Sequence, residues 1–185
     1  MATESASPTI GAPAPDFTLP STTGEKVSLS DFAGRPALLV AFICNHCPYV
    51  RHVESELARV SADYEARGLA TIGISANDVT SHPEDDVEHL AEQVRRAGFA
   101  FPYLYDESQE VARAYGAVCT PDLFLYDADR RLAYRGEIDG SRPQSGVPVT
   151  GESLRAAIDH VLAGKEVPGP HRPSVGCSIK WRDPA

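Results

Sequence analysis

From position 37 to position 43 the chain is apolar without interruption, and it then runs straight into Cys44-Asn45-His46-Cys47-Pro48. A run this short, rich in Val, Phe and Ile, predicts a buried strand. After Pro48 the apolar period changes. Val50, Val53, Leu57 and Val60 recur at threes and fours with Arg51, Glu54, Glu56 and Arg59 between them, the spacing of a helix that buries one face. Pro48 suits the first helical turn, where its missing N–H has no partner to lose. The two cysteines therefore fall at a strand-to-helix junction. Free amide N–H groups and the positive end of the helix dipole at such a place favour a thiolate over a thiol, which is what thiol–disulfide exchange requires.

The rest of the chain must complete a sheet around that strand. A length of 185 residues suits one domain with a sizeable core. The formal net charge of -9 argues against nucleic acid as a partner, and no apolar run approaches the length of a membrane span. The first fifteen residues are small, polar and proline-rich, with no basic stretch leading into an apolar one. The expectation is no signal peptide and a reducing, cytoplasmic setting. Four cysteines are too few for a disulfide framework, and a Cys-x-x-Cys beside β–α patterning points to redox work or to metal.

Residues 1–14 are expected to be a flexible lead-in. Alternation over 16–19 and 26–29 around Ser21-Thr22-Thr23-Gly24 predicts a β-hairpin. The helix after the cysteines should run over 48–67 and end at Gly68. A second buried strand is expected over 69–75 and a second amphipathic helix over 84–97, with Val87, Leu90, Ala91 and Val94 inward. A short strand over 101–105 and a short helix over 108–115 follow. Residues 122–126 and 132–135 read as an antiparallel pair, 141–150 as a loop and 152–162 as a closing helix. The proline-rich tail, 164–185, is expected to pack on the domain formed by 15–163. Together these give an α/β fold with a mixed central sheet flanked by helices and an N-terminal β-hairpin extension.

Three segments carry a family resemblance: Gly11-Ala12-Pro13-Ala14-Pro15-Asp16-Phe17-Thr18-Leu19, then Cys44-Asn45-His46-Cys47-Pro48, then Tyr115-Gly116-Ala117-Val118-Cys119-Thr120-Pro121 with the Leu-Phe-Leu-Tyr-Asp that ends at Asp127. On these the chain resembles the thioredoxin superfamily, and more narrowly the redoxin group shared with peroxiredoxins of the alkyl hydroperoxide reductase C type. The tail Gly176-Cys177-Ser178-Ile179-Lys180-Trp181 looks like the ending of a peroxiredoxin-like branch. The resemblance implies a thioredoxin-like fold and a thiol–disulfide oxidoreductase with an antioxidant role. It implies Cys44 as the exposed attacking thiolate and Cys47 as the resolving thiol. It places a cis-proline at Pro121, which would present the backbone of Thr120 to an extended substrate. The implied partners are protein or small-molecule disulfides and a thioredoxin or glutathione reducing system. No organic cofactor and no metal is expected.

The chain also departs from both family patterns. Cys47-Pro48 matches a peroxidatic cysteine, but Cys44 stands where peroxiredoxins have Thr or Ser, and 118–121 offer no activating arginine. The buried acid of thioredoxins falls on Leu38. Two rivals follow. One is a thiol peroxidase with Cys47 peroxidatic. The other is a metal-handling protein in which Cys44, Cys47 and Cys119, with His46 or water, hold Zn²⁺ or Cu⁺.

His46 between the cysteines either stabilises a thiolate as an imidazolium or simply fits an exposed turn. Cys119 and Cys177 are auxiliary thiols by position: Cys119 reads as a small buried thiol, with a redox or ligand role open, and Cys177 could pair with Cys119, resolve a mixed disulfide or pack. His52 and Glu56 read as a surface pair at i, i+4. Glu84, Asp85, Asp86 and Glu88 read as acids that open a helix, with no chemistry attached. His82, His89, His160 and His171 read as solvated.

Overall fold

The computed structural model describes residues 2–182. Its strands are β1 (Ala2–Glu4), β2 (Thr18–Pro20), β3 (Lys26–Ser28), β4 (Ala37–Phe42), β5 (Leu69–Ser75), β6 (Tyr103–Tyr105), β7 (Cys119–Thr120), β8 (Asp122–Tyr126), β9 (Leu132–Gly136) and β10 (Val175–Ser178). The α-helices are α1 (Pro48–Glu65), α2 (Val87–Ala97), α3 (Glu110–Tyr115) and α4 (Glu152–Leu162). The central sheet runs β6-β5-β4-β8-β9. β4 pairs with β5 in parallel and with β8 antiparallel, so the sheet is mixed. β2 and β3 form the separate hairpin expected near the N-terminus.

β4 is central because it is apolar on both faces. Ala37, Leu39 and Ala41 pack with Val50, Leu57 and Ile158 on one side of the sheet. Leu38, Val40 and Phe42 pack with Phe124, Tyr115 and other residues on the opposite side. This is the period-two alternation of a strand with cores on both faces. Leu38 is wholly buried among apolar groups. The helical face read from the sequence is the buried one, with Val50, Val53, Leu57, Val60 and Tyr64 inward and Pro48 in the first turn of α1.

Several local expectations are corrected by tertiary contacts. Ala2–Glu4, read as part of a loose lead-in, is strand β1 and pairs with β10; short polar segments carry no strand signal until a partner edge is present. α2 begins at Val87, not at 84, with Asp86 as its N-cap accepting from the His89 N–H. Val87, expected inward, is exposed. Glu54 and Glu56, read as surface positions, are buried. Each finds arginine: Glu54 pairs with Arg96, and Glu56 with Arg59 and Arg155. His52 therefore has no salt bridge to Glu56, and its Nε2 meets Ser141 Oγ at 2.7 Å. Met1 and residues 183–185, which the lead-in and tail readings included, lie outside the described residues.

Candidate active site

Cys44 and Cys47 lie in the loop from β4 to α1, and Cys47 is the N-cap residue of α1. Facing them is the Thr120–Pro121 bond, which is cis, as the family resemblance implies. Cys44 Sγ lies 3.3 Å from Thr120 Oγ1, and Cys47 Sγ donates to the Thr120 carbonyl oxygen at 3.2 Å. The site residues Cys44, His46, Cys47, Thr120 and Pro121 are thus brought together by one loop and one short strand. All four cysteines are free thiols.

The exposure expected of Cys44 needs correction. Neither is exposed: both have 0% accessible surface. Their surroundings also differ. Burial, first, and the hydrogen bond to Cys47 push the Cys44 thiol well above its ordinary value, with the Asp85 charge adding to the rise. Cys47 is brought down to about 5. The largest cause is the Cys44 thiol donating to it; Cys177 and the Val50 N–H also donate, and burial opposes them. A helix N-cap and the donors aimed at Cys47 favour a thiolate there, while its bond to the Thr120 carbonyl favours the thiol.

His46 does more than fit a turn. Its Nδ1 lies 2.5 Å from Asp85 Oδ2 and 3.9 Å from Cys44 Sγ. The hydrogen bond to Asp85 raises the His46 pKa against partial burial. Burial works to raise Asp85, but His46 and Asn77 as hydrogen-bond donors outweigh it and hold the carboxyl below its usual range. Asp85 is the site residue that sequence reasoning missed, having been read as one of several helix-opening acids. It sits instead in a 3-10 turn over Pro83–Asp85, fully buried. Its Oδ1 accepts the N–H groups of Asn45 (2.8 Å) and His46 (3.0 Å), and its Oδ2 also accepts Asn77 Nδ2 at 2.8 Å. His82, read as solvated, stacks on His46 with ring centroids 4.8 Å apart. The one local signal for Asp85 was its place in an acidic run just after a loop, which is too common to single out a residue.

Cys44, His46 and Asp85 each bring a ligand atom within 4.8 Å of one another. That set differs from the metal reading made on sequence, because Asp85 replaces Cys119. It also fits a cation poorly. A carboxylate offers about four lone-pair sites, and here four N–H donors take them. Cys119 turns elsewhere: its Sγ donates to the Pro121 carbonyl at 3.6 Å, and burial, then the Asp122 charge, drives its pKa far up.

Arg135 is buried against the segment that leads into Thr120. It bonds Asp122 Oδ2 at 2.7 Å and Oδ1 at 3.1 Å, donates to the Gly116 carbonyl, and lies over the Phe124 ring. Asp122 in turn accepts the Val118 N–H. Among the described residues no guanidinium hydrogen-bonds either Cys44 or Cys47 Sγ. The tail strand β10 closes the site from outside, with Cys177 opposite Thr120.

Comparison with known proteins gives the family. The model of the AhpC/TSA family matches residues 10–135. The chain belongs to the AhpC/TSA family. A crystal structure of a hypothetical protein from Sinorhizobium meliloti 1021 is 50% identical, with a TM-score of 0.96, covering 97% of this chain and 98% of that one. The thiol-disulfide oxidoreductase ResA of Geobacillus thermodenitrificans is 28% identical over 132 residues, 70% of each chain. The 1-Cys peroxiredoxin B of Oryza sativa subsp. indica is 31% identical over 157 residues, 83% of this chain and 64% of that protein. The AhpC/TSA chain described here has the thioredoxin fold.

Proposed function

We propose that this AhpC/TSA protein is a thiol–disulfide oxidoreductase whose working pair is Cys47 and Cys44. The observation that carries the proposal is the Cys47 sulfur at the N-cap of α1, with both cysteine sulfurs meeting Thr120 at the cis Thr120–Pro121 bond. The Cys47 thiolate attacks one sulfur of a substrate disulfide and forms a mixed disulfide, and the other substrate sulfur leaves as a thiolate. The Cys44 thiol gives its proton to that leaving thiolate or to solvent. The Cys44 sulfur then attacks Cys47 and releases the second substrate thiolate. The substrate gains two electrons, and the protein is left with a Cys44–Cys47 disulfide. His46 Nδ1 lies 3.9 Å from Cys44 Sγ with its N–H directed to Asp85, so the positive charge of an imidazolium favours charge developing on Cys44, while the Asp85 charge opposes it. Protein or small-molecule disulfides are the substrate class. The cytoplasm, and re-reduction by a thioredoxin or glutathione system, belong to the proposal on the strength of a cysteine usage suited to exchange rather than to a disulfide framework.

The second reading is a thiol peroxidase with Cys47 peroxidatic. Its support is specific: Cys47 precedes Pro48, has its pKa drawn down to about 5 and lies in an AhpC/TSA chain. Against it, Arg135 is committed to Asp122, and Cys44 holds the place of the Thr or Ser. Stopped-flow mixing of the reduced protein with stoichiometric hydrogen peroxide, and separately with a disulfide reagent, decides between them. The oxidoreductase reading expects fast bridging by the disulfide reagent and slow oxidation by peroxide. Fast oxidation through a sulfenic acid on Cys47 would overturn it in favour of the peroxidase.

A further inference from the structure

The groove beside Thr120 is occupied by the chain itself. An extended substrate in a thioredoxin-like site would lie along the Thr120 backbone, and β10 lies there instead. It pairs antiparallel with β7, with Cys177 opposite Thr120 and Ser178 opposite Cys119. The Ile179 N–H donates to the Val118 carbonyl at 3.1 Å and extends the same ladder. Thr120 is shared: its carbonyl oxygen lies 3.2 Å from Cys47 Sγ, while its backbone faces Cys177. Cys177 packs against the apolar cluster that contains Cys44 and Cys47.

The sequence is adapted to this approach. A Cβ on Gly176 would overlap the Thr120 carbonyl and sit 3.1 Å from Pro121 Cδ, so only glycine lets the strand come this close. The strand is also fastened at both ends. Ser5 donates its N–H to the Ser174 carbonyl at 2.8 Å, and β1 covers the outer edge. Beyond the strand, Lys180 N donates to Asn77 Oδ1 at 2.8 Å, Ile179 is buried, and Arg113 stacks on Trp181.

We propose that Cys177 is a third redox thiol: β10 fills the substrate groove as an internal substrate, and the Cys177 sulfur takes over Cys47 from the Cys44–Cys47 disulfide. This rests on the dithiol reading above. In the step, the Cys44–Cys47 bond breaks and the Cys47–Cys177 bond forms. The proton leaving the Cys177 thiol is taken up by the departing Cys44 sulfur. No electrons enter or leave, because one disulfide replaces another. The product has the tail covalently closed over the site and Cys44 free. External disulfides then reach Cys47 only when β10 lifts, in keeping with the absence of accessible surface on either cysteine of the pair.

The state of Cys177 follows that of Cys47. In the reduced protein burial, first, and then the hydrogen bond to Cys47 and its charge push the Cys177 thiol up to about 12. Once Cys47 is in a disulfide it carries no charge and no longer holds the Cys177 proton, so two of the three causes vanish. Lys180, which lowers the Cys177 pKa, remains. Oxidation of the site therefore lowers the barrier to Cys177 acting as a nucleophile, with burial still opposing it.

The test treats the reduced full chain with one equivalent of dipyridyl disulfide, quenches it in acid and maps the bridges by peptide mass spectrometry. Wild-type protein is expected to yield a Cys47–Cys177 bridge alongside Cys44–Cys47, and Cys177→Ser the Cys44–Cys47 bridge alone. Gly176→Ala, which forces β10 off Thr120, is expected to react about tenfold faster in the first step, since the apparent rate scales with the fraction of molecules whose groove is open. Wild-type protein bridged only between Cys44 and Cys47, with Cys177 still a free thiol, overturns the inference and leaves the dithiol reading intact. An unchanged rate in Gly176→Ala overturns the occupied groove. A Cys177→Ser protein that forms no Cys44–Cys47 bridge overturns the dithiol reading, and the inference with it.

Discussion

Asp85 Oδ2 lies 2.5 Å from His46 Nδ1, and the same carboxylate caps the backbone N–H groups of Asn45 and His46. One buried side chain thus sets both the path of the cysteine loop and the protonation of the imidazole within it. The loop is further held by Arg51 donating to the Asn45 carbonyl, by Arg96 donating to Asn45 Oδ1, and by Gln93 donating to the Cys44 carbonyl. The cysteines are positioned by a polar network that reaches from α1 to α2.

Asp85→Asn should lower the pKa of His46 toward the ordinary 6.5, read by a histidine NMR titration. The sign for stability follows from both partners. His46 is raised, so its contribution is full below 6.5 and is lost as pH rises through its folded value. Asp85 is depressed from 3.8, so its contribution is present above that value and is lost as pH falls through the folded one. The variant should therefore lose most stability between about pH 4 and 6.5, by about 2 kcal/mol in urea denaturation.

Cys47 should titrate near pH 5 when thiolate absorbance is followed in the ultraviolet. Cys47→Ser should remove that transition and leave no thiol titrating below the ordinary 9.0. Because the Cys44 hydrogen bond is the largest cause of the depression, Cys44→Ala should move the Cys47 transition upward, and its rate of alkylation by iodoacetamide should begin to rise at correspondingly higher pH.

Arg135→Leu should cost about 3–5 kcal/mol in urea denaturation, because it strands the fully buried Asp122 carboxylate. Burial already pushes that carboxyl up against the pull of Arg135, so the variant should take up a proton at Asp122. Asp122 also holds the Val118 N–H. The segment that carries Thr120 and Pro121 should loosen, and disulfide exchange should slow with it.

Cys119 should stay unlabelled by iodoacetamide in the folded protein and react once urea unfolds it. Its thiol is buried, bonded to the Pro121 carbonyl and far from ionising. Cys119→Ala should leave bridge formation between Cys44 and Cys47 unchanged, as measured by peptide mapping after oxidation.

Much of this architecture was written locally. The apolar run ahead of Cys44 becomes β4, and the threes and fours after Pro48 become the inner face of α1. The alternation on either side of Gly24 becomes the β2-β3 hairpin. Each of these signals lies within a few residues of the element it predicts, and burial on a sheet face or helix face imposes a period that can be read along the chain.

Other features join distant segments. Asp85 meets His46 across 39 residues, and Cys119 and Thr120 meet Ser178 and Cys177 across more than fifty. Glu54 is buried only because Arg96 reaches it, and Ala2–Glu4 is a strand only because β10 offers an edge. The order of the two cysteines belongs here too. The family resemblance implies Cys44 as the nucleophile, and nothing local shows that donors from α1 and β10 converge on Cys47.

The sequence by itself determined that a buried strand ends in a pair of cysteines at a helix start, and so that thiol chemistry is in question. Only the tertiary structure decided which groups surround each sulfur, which acid holds the histidine, and that the tail strand lies beside Thr120. The physical reason is range. Periodicity and helix dipoles act between near neighbours along the chain, but a thiolate is stabilised by whichever donors the folded chain brings within reach of the sulfur, and those come from anywhere in the sequence.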